Sequence, residues 1–352
     1  MKWTERILAS TDSEAVIILG MGPQALYLLR ALHQTGKRVF LIGSKSYYGY
    51  LSRYGTKLVR EDDEAKNREV YNICEEYGKD TPVLIGGGAA LNFALSYLDD
   101  NVLNIFPRPF SNLNILNQKT EITNWLCMHS QLSDYYLPTY SWNQMHNQIS
   151  YPVLAKWNTT TSHSFKTKIL AGLNDWDKFS VNYGTFAEDL VFQPYIRDKR
   201  LYYLGGWFQN GQLKEHVLVE EIRQNPVGTV SYMKAYEGKH YENIHGFIEE
   251  IMKVFPVTGF VQFEFIEDVS SRKLYFLECN ARPWGSMDVL NFRGNRRSGE
   301  ALHLIKDLSN IGSSTEFFER IKSCINSDIL NFRWSDPLPF LAPLMNQFNT
   351  HD

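Results

Sequence analysis

Two acidic runs in the last third of the chain constrain it more than any other feature. The segment 276–286 carries Glu278, Asn280 and Arg282 at alternate positions. Side chains of a β-strand alternate between faces, so these three share one face and Cys279 and Ala281 take the other. Residues 260–266 read as a second strand, with Gln262 and Glu264 on one face and Phe263 and Phe265 on the other. The stretch from Glu267 to Lys273 supplies a turn, so the two strands read as a hairpin in which Glu264, Glu278 and Asn280 converge. Such oxygen donors suit Mg²⁺, which takes one or two carboxylates and completes its shell with water and substrate phosphates. A guanidinium beside them can fork onto an anion. A half-buried hairpin with a charged solvent face would give the same alternation, so the rest of the chain has to decide.

Residues 15–110 alternate strand and helix. Ala15 to Leu19 is a wholly apolar run, as in a buried parallel strand. Gly20-x-Gly22-x-x-Ala25 turns it into a helix over 24–34, and Arg38 to Ile42 forms the next strand. An amphipathic helix over 64–78, a strand over 82–85, a Gly86-Gly87-Gly88 turn and a helix around 89–98 follow. The expectation is a small parallel α/β domain. The first glycine turn fits a dinucleotide fingerprint, since glycines let a phosphate approach a helix N-terminus. The second strand ends without an Asp or Glu for a ribose; Lys45 suits a 2′-phosphate, so an NADP site stays open. The same glycines would equally serve close packing of helix on sheet.

Beyond residue 110 the pattern changes. A helix runs from about Lys119 to Ser130, and a strand from Tyr151 carries Lys156. A hydroxyl-rich loop spans 158–164. The strand containing Gln193, Tyr195 and Ile196 is interrupted at Pro194, which suggests an edge or hinge position. Strands over 201–208 and 213–221 join at Asn210-Gly211, a favourable hairpin turn. A helix over 241–253 precedes the acidic hairpin, and 298–325 reads as mostly helical.

Composition narrows the class. A chain of 352 residues with 43% hydrophobic and 21% charged residues has room for two or three ordinary globular domains. A net charge of −3 implies no nucleic-acid partner. No apolar run reaches a membrane span, and the N-terminus has no signal-peptide core. Four scattered cysteines without a Cys-x-x-Cys pair point to a cytoplasmic protein rather than a zinc or disulfide framework.

The order of these elements resembles the ATP-grasp superfamily, of carboxylate–amine ligase type, as in biotin carboxylase and carbamoyl-phosphate synthase. The likeness spans about 15–340 and rests on the order of short motifs. It implies an α/β and α+β architecture: a Rossmann-like pre-ATP-grasp domain over 1–112 and an ATP-grasp domain over 113–352. Within the latter, a lid would occupy about 150–192 and a nucleotide and metal subdomain about 193–340. By the same resemblance, Lys119 and Lys156 contact the ATP phosphates. Gln193, Tyr195 and Ile196 form the hinge that reads adenine, and Asp198 matches the ribose ligand. Glu264, Glu278 and Asn280 hold Mg²⁺ (Mn²⁺ being a possible substitute), with Gln262 as a fallback ligand. Arg282 faces the transferred phosphate, and Arg223 belongs to an Arg-x-x-Pro-x-Gly segment near the phosphates and the carboxylate. Relatives often have a glycine-rich loop after the strand lysine, where this chain has 158–164.

The implied activity is ATP-dependent joining of a small carboxylate to an amine through an acyl phosphate, releasing ADP and phosphate. Amino acids or a specialised metabolite would be the substrates, and a homodimer is possible. Arg223, Trp284, Ser286, Asn291 and Arg293 are candidates for the substrate wall. Two other classes stay open: an NADP-dependent oxidoreductase using the N-terminal domain, and a non-catalytic ATP-binding regulatory protein.

Overall fold

The computed structural model describes residues 2–148, 150–159, 165, 167–225, 229–287, 290, 301–304, 328–330 and 336. The chain opens with helix α1 (Trp3–Leu8), followed by β1 (Ala15–Leu19), α2 (Pro23–His33), β2 (Arg38–Gly43) and α3 (Tyr47–Tyr50). Next come β3 (Thr56–Val59), α4 (Asp63–Tyr77), β4 (Val83–Ile85), α5 (Gly88–Tyr97) and β5 (Ile105–Phe106). These strands form one parallel sheet in the order β3-β2-β1-β4-β5. All five residues of β1 are buried, as its unbroken apolar run requires of a central strand covered on both faces. The strand order reverses between β1 and β4, and that reversal opens a crevice at the carboxyl ends of the strands.

Helices α6 (Phe110–Asn117) and α7 (Lys119–Met128) lead to β6 (Tyr140–Ser141), α8 (Trp142–Gln148), β7 (Val153–Trp157), β8 (Thr167–Leu170), α9 (Leu173–Tyr183) and β9 (Leu190–Pro194). The four strands form an antiparallel sheet in the order β6-β9-β7-β8. Its covered face has an aromatic core in which Trp142, Trp176, Phe179 and Phe192 touch edge to face or tilted. Burying each such ring contributes about 2–3 kcal/mol. Strand β9 lies inside this sheet, not at its edge. Pro194 is tolerated because it is the last residue of β9, beyond the reach of the two-residue β6. The hinge reading of Pro194 is the one that fits, because residues 195–198 carry the chain into the next sheet.

That sheet contains β10 (Lys199–Gln209), β11 (Gln212–Asn225), β12 (Thr229–Ala235), β13 (Gly259–Asp268), β14 (Lys273–Asn280), β15 (Ala301–Leu304) and β16 (Asp328–Leu330), with α10 (Tyr241–Val254) before β13. Its order is β14-β13-β10-β11-β12-β15-β16. The β10–β11 hairpin turns at Asn210 and Gly211, with φ of 50° and 77°, the left-handed pair that an Asn-Gly turn favours. One face, with Phe263, Phe265 and Phe276, packs on Phe247, Ile248 and Ile251 of α10. The other carries Trp207, Phe260 and Trp284, which join α1 and α2 of the N-terminal unit in a second core. The helical expectation for 298–325 fails at 301–304, where the chain pairs with β12 as β15. An apolar-rich run of four is ambiguous by periodicity, and the open edge of β12 decides it. The remainder of that stretch lies outside the described residues.

Candidate functional site: a two-carboxylate centre on the large sheet

The acidic hairpin forms as its alternation requires, with one local irregularity. Glu264 pairs with Glu278 and Gln262 with Asn280 across β13 and β14, but the register shifts between Glu264 and Phe265. Strict alternation would put Phe276 on the face of Glu278. The bulge adds one residue to β14, so Phe276 stays in the α10-facing core while Glu278 and Asn280 face the opposite way. Glu267, expected in the turn, lies within β13.

The side chains then converge. Asn280 Nδ2 donates to Glu264 Oε1 at 2.8 Å and reaches Glu278 Oε1 at 3.4 Å. Lys119 Nζ, at the first residue of α7, lies 3.0 Å from Glu278 Oε2. Arg282 Nη2 donates to Asn280 Oδ1 at 2.9 Å and its Nη1 to the Pro283 carbonyl at 3.1 Å. Burial lowers the Arg282 pKa, and Glu278 and Glu264 oppose that shift. Two carboxylates thus meet on a single donor atom, a geometry that a small divalent cation can take over once the amide turns its oxygen inward. Among the described residues no three His, Cys, Asp or Glu side chains form a metal cluster. Two carboxylates plus a carboxamide leave several positions to water and phosphate oxygens, the mode that magnesium favours.

Lys156 sits mid-strand in β7 and is only 6% exposed, as is Lys119. Strand register puts Gln193 opposite Leu154, so Gln193 and Lys156 share the face of the small sheet that looks away from its aromatic core. Lys119 N–H donates to the Asn158 carbonyl, and Thr120 N–H to Asn158 Oδ1 at 3.0 Å. The start of α7 is therefore tied to the segment just after β7, where the hydroxyl-rich loop begins; residues 160–164 lie outside the described residues. Gln193 Nε2 donates to Thr139 Oγ1 at 2.9 Å, while its buried Oε1 has no protein partner. Tyr195 and Ile196 are half-buried at the junction of the two sheets, and Tyr195 N–H donates to the Pro152 carbonyl. Asp198 is exposed one residue before β10, and its carbonyl accepts from Val269 N–H at the distal turn of the acidic hairpin.

Arg223 lies in β11 between two register irregularities, opposite Tyr232; its side chain, and residues 226–228, lie outside the described residues. Of the expected substrate wall, Trp284 and Ser286 are both 4% exposed. Trp284 covers Gly205, where an added Cβ would come within 2.2 Å of its ring, so the indole is packing rather than wall. Asn291 and Arg293 are not among the described residues.

Two residues of this neighbourhood carry no motif. Tyr203 of β10 pairs with Glu264, and its hydroxyl donates to Glu221 of β11. Burial raises the Tyr203 pKa well above its ordinary value, and the Glu264, Glu221 and Glu278 carboxylates push it the same way. Only the strand order reveals them, because β10 lies beside β13 although some 60 residues separate them in sequence.

No protein-family model matches the chain, and no curated protein matches it in sequence. Solved structures do match. Rhizobium etli pyruvate carboxylase superposes over 80% of this chain with a TM-score of 0.63 and 14% identity. The chain spans only 27% of that protein's length. Campylobacter jejuni biotin carboxylase, solved in a β,γ-ATP complex, matches 80% of this chain and 68% of its own at TM-score 0.62 and 16% identity. The L-amino acid ligase of Bacillus licheniformis matches over 77% of this chain and 68% of its own at TM-score 0.58 and 14% identity. The fold is the ATP-grasp fold. The Rossmann-like N-terminal unit is the parallel sheet β1–β5, and the antiparallel sheets build the grasp.

Proposed function

We propose that this chain is an ATP-dependent ligase of the carboxylate–amine type, binding ATP and Mg²⁺ and releasing ADP and phosphate. The observation that carries the reading is the meeting of Glu264, Glu278, Asn280, Lys119 and Arg282 at one place on the large sheet. A fold shared with a biotin carboxylase solved with a nucleotide and with an amino acid ligase supports it.

The chemistry follows from charge. A carboxylate is a poor electrophile, and phosphorylation converts it into a mixed anhydride that an amine can attack. Bringing two anions together requires cations: Lys119 and Lys156 neutralise the triphosphate, and Arg282 forks onto the transferred group. Glu264, Glu278 and Asn280 would hold the magnesium ion, which supplies charge neutralisation and orientation of the phosphates. The buried, unpartnered Gln193 Oε1 and Arg282 Nε fit that division. The first accepts from the adenine amino group, and the second donates to a phosphate oxygen. Tyr195 and Ile196 would flank the base, Asp198 would meet the ribose, and Arg223 is assigned to the carboxylate by its Arg-x-x-Pro-x-Gly segment alone. Residues 150–192, with their own aromatic core, act as the lid that keeps water from the acyl phosphate.

The test is release of ADP and phosphate from Mg-ATP against pooled amino acids and small carboxylates, with mass spectrometry of the mixture. Pool-dependent release and a product lighter by one water than its two parents are expected. Mg-ATP binding without release from any pool favours a regulatory nucleotide-binding protein. Absence of ATP binding sinks the reading.

A further inference from the structure

A carboxamide has a donor end and an acceptor end of nearly equal size, so a glutamine reads a ligand only if something decides which end faces it. Gln193 is 1% exposed and sits near the end of β9, between β6 and β7. On the β7 side its cross-strand neighbour is Leu154, which offers no hydrogen bond. On the β6 side the register pairs Tyr140 with Phe192 and Ser141 with Val191. One step further along that register Thr139 stands opposite Gln193, and Gln193 Nε2 donates to Thr139 Oγ1 at 2.9 Å.

The direction of that bond is fixed by a second one. Thr139 Oγ1 donates to the Leu137 carbonyl at 3.1 Å. A hydroxyl has one proton, so with that proton on Leu137 it can only accept from Gln193. Turning the amide over would set two acceptors against each other at hydrogen-bond distance. The carboxamide is therefore held with nitrogen towards Thr139, and its buried Oε1 has no hydrogen-bond partner among the described residues. With Thr139 on one flank and an apolar side chain on the other, Oε1 is left to the face of the sheet that Gln193 shares with Lys156. An acceptor buried in this way discriminates strongly, because a ligand that brings no donor leaves it unpaired.

We propose that Thr139 is a positioning residue that sets nucleobase selectivity. It holds the Gln193 carboxamide oxygen-first, so that a purine with an amino group at C6 is accepted and one with a carbonyl there is refused. The inference rests on the ligase reading, in which Gln193 meets the base. Thr139 itself touches no nucleotide; it acts through the orientation of Gln193.

The test is calorimetric titration of the full chain with Mg-ATP and Mg-ITP, for wild type, Thr139→Val and Thr139→Ser. Inosine carries the carbonyl at C6 and is otherwise close in shape to adenosine. Valine has the outline of threonine without the hydroxyl, and serine keeps the hydroxyl. Wild type is expected to bind ATP about tenfold or more tighter than ITP. In T139V the amide is free to turn and donate to the inosine carbonyl, so the ratio is expected to fall to about threefold or less, with ITP bound more tightly than by wild type. T139S keeps the wild-type ratio. A gain in ITP affinity separates the positioning role from simple damage to the sheet, which weakens both nucleotides together. A wild-type ratio in T139V, or a proportional loss of both affinities, overturns the proposal and leaves the ligase reading standing. So does equal binding of ATP and ITP by wild type. Binding of neither nucleotide by wild type removes the ligase reading, and the role of Thr139 with it.

Discussion

At the scale of single residues, Glu278 joins the two halves of the site, touching Lys119 on one side and Asn280 on the other. Glu278→Gln keeps the shape and removes the charge. Turnover that depends on magnesium is expected to fall by roughly 100-fold or more, the size of effect seen when one charge-stabilising group is lost. The variant stays folded, with about 1–3 kcal/mol lost as Lys119 is left without a charged partner. ADP release and thermal unfolding measure the two effects, and wild-type turnover would refute the proposed role of Glu278 as a metal ligand. Gln193 gives a different signature. Its Oε1 is buried and unpartnered, so Gln193→Leu leaves stability nearly unchanged apart from the bond to Thr139. With the adenine contact proposed for Gln193, loss of one neutral hydrogen bond is expected to weaken ATP binding about tenfold while leaving GTP binding less affected. Fluorescent-nucleotide competition reads both, and unchanged discrimination would place the adenine elsewhere.

At the scale of elements, the acidic hairpin is clamped from behind. Glu267 of β13 is 2% exposed and accepts from Tyr202 of β10 at 2.8 Å and from Lys239 at 2.5 Å, with His240 Nε2 at 3.3 Å. Lys239 and His240 precede α10, so one carboxylate ties that helix to two strands. Burial pushes the Glu267 carboxyl up, and the Lys239 and Tyr202 donors, with His240 beside them, outweigh it and hold the pKa at about 2. A folded pKa below the unfolded one gives stability that is present above about pH 4.5 and is lost as pH falls towards 2. The depression corresponds to about 3 kcal/mol. Urea midpoints of wild type should therefore drop between pH 5 and pH 3 by more than those of Glu267→Gln. Parallel curves for the two proteins would show that the clamp does not set acid stability.

At the scale of the whole molecule, a residue near the C-terminal end is anchored in the N-terminal unit. Asp336 is 1% exposed; Arg30 Nε on α2 lies 2.9 Å from its Oδ2, Ser52 Oγ donates to the same oxygen at 2.8 Å, and Arg53 N–H to Oδ1 at 2.9 Å. The Arg30 side chain is itself 10% exposed, so removing the carboxylate takes the opposite charge away from a nearly buried guanidinium, although Arg30 Nη2 still donates to the Asp336 backbone carbonyl. Asp336→Ala is expected to lose about 3 kcal/mol, the usual consequence of breaking a buried ion pair from one side. Scanning calorimetry tests this, and a shift within 1 °C of wild type would mean that the contact is dispensable. Among the described residues no helix is long and apolar enough to cross a membrane.

Period and punctuation determined much of this protein. The unbroken run of β1, the alternation of β13 and the Asn-Gly turn of the β10–β11 hairpin each depend on a few consecutive residues, so they are legible without a partner. The convergence of Glu264, Glu278 and Asn280 is local in the same way, since a short hairpin joins them. Contacts made across the fold are not written in any window. The bulge that turns Phe276 inward answers to the helix packed behind it. The four residues of β15 become a strand because β12 offers an unpaired edge. Tyr203 reaches the site because β10 lies between β11 and β13, and Asp336 has its partners about 300 residues away in sequence. Local preference for helix or strand amounts to tenths of a kcal/mol per residue, whereas burial and pairing contribute whole kcal/mol, and these only the tertiary structure assigns.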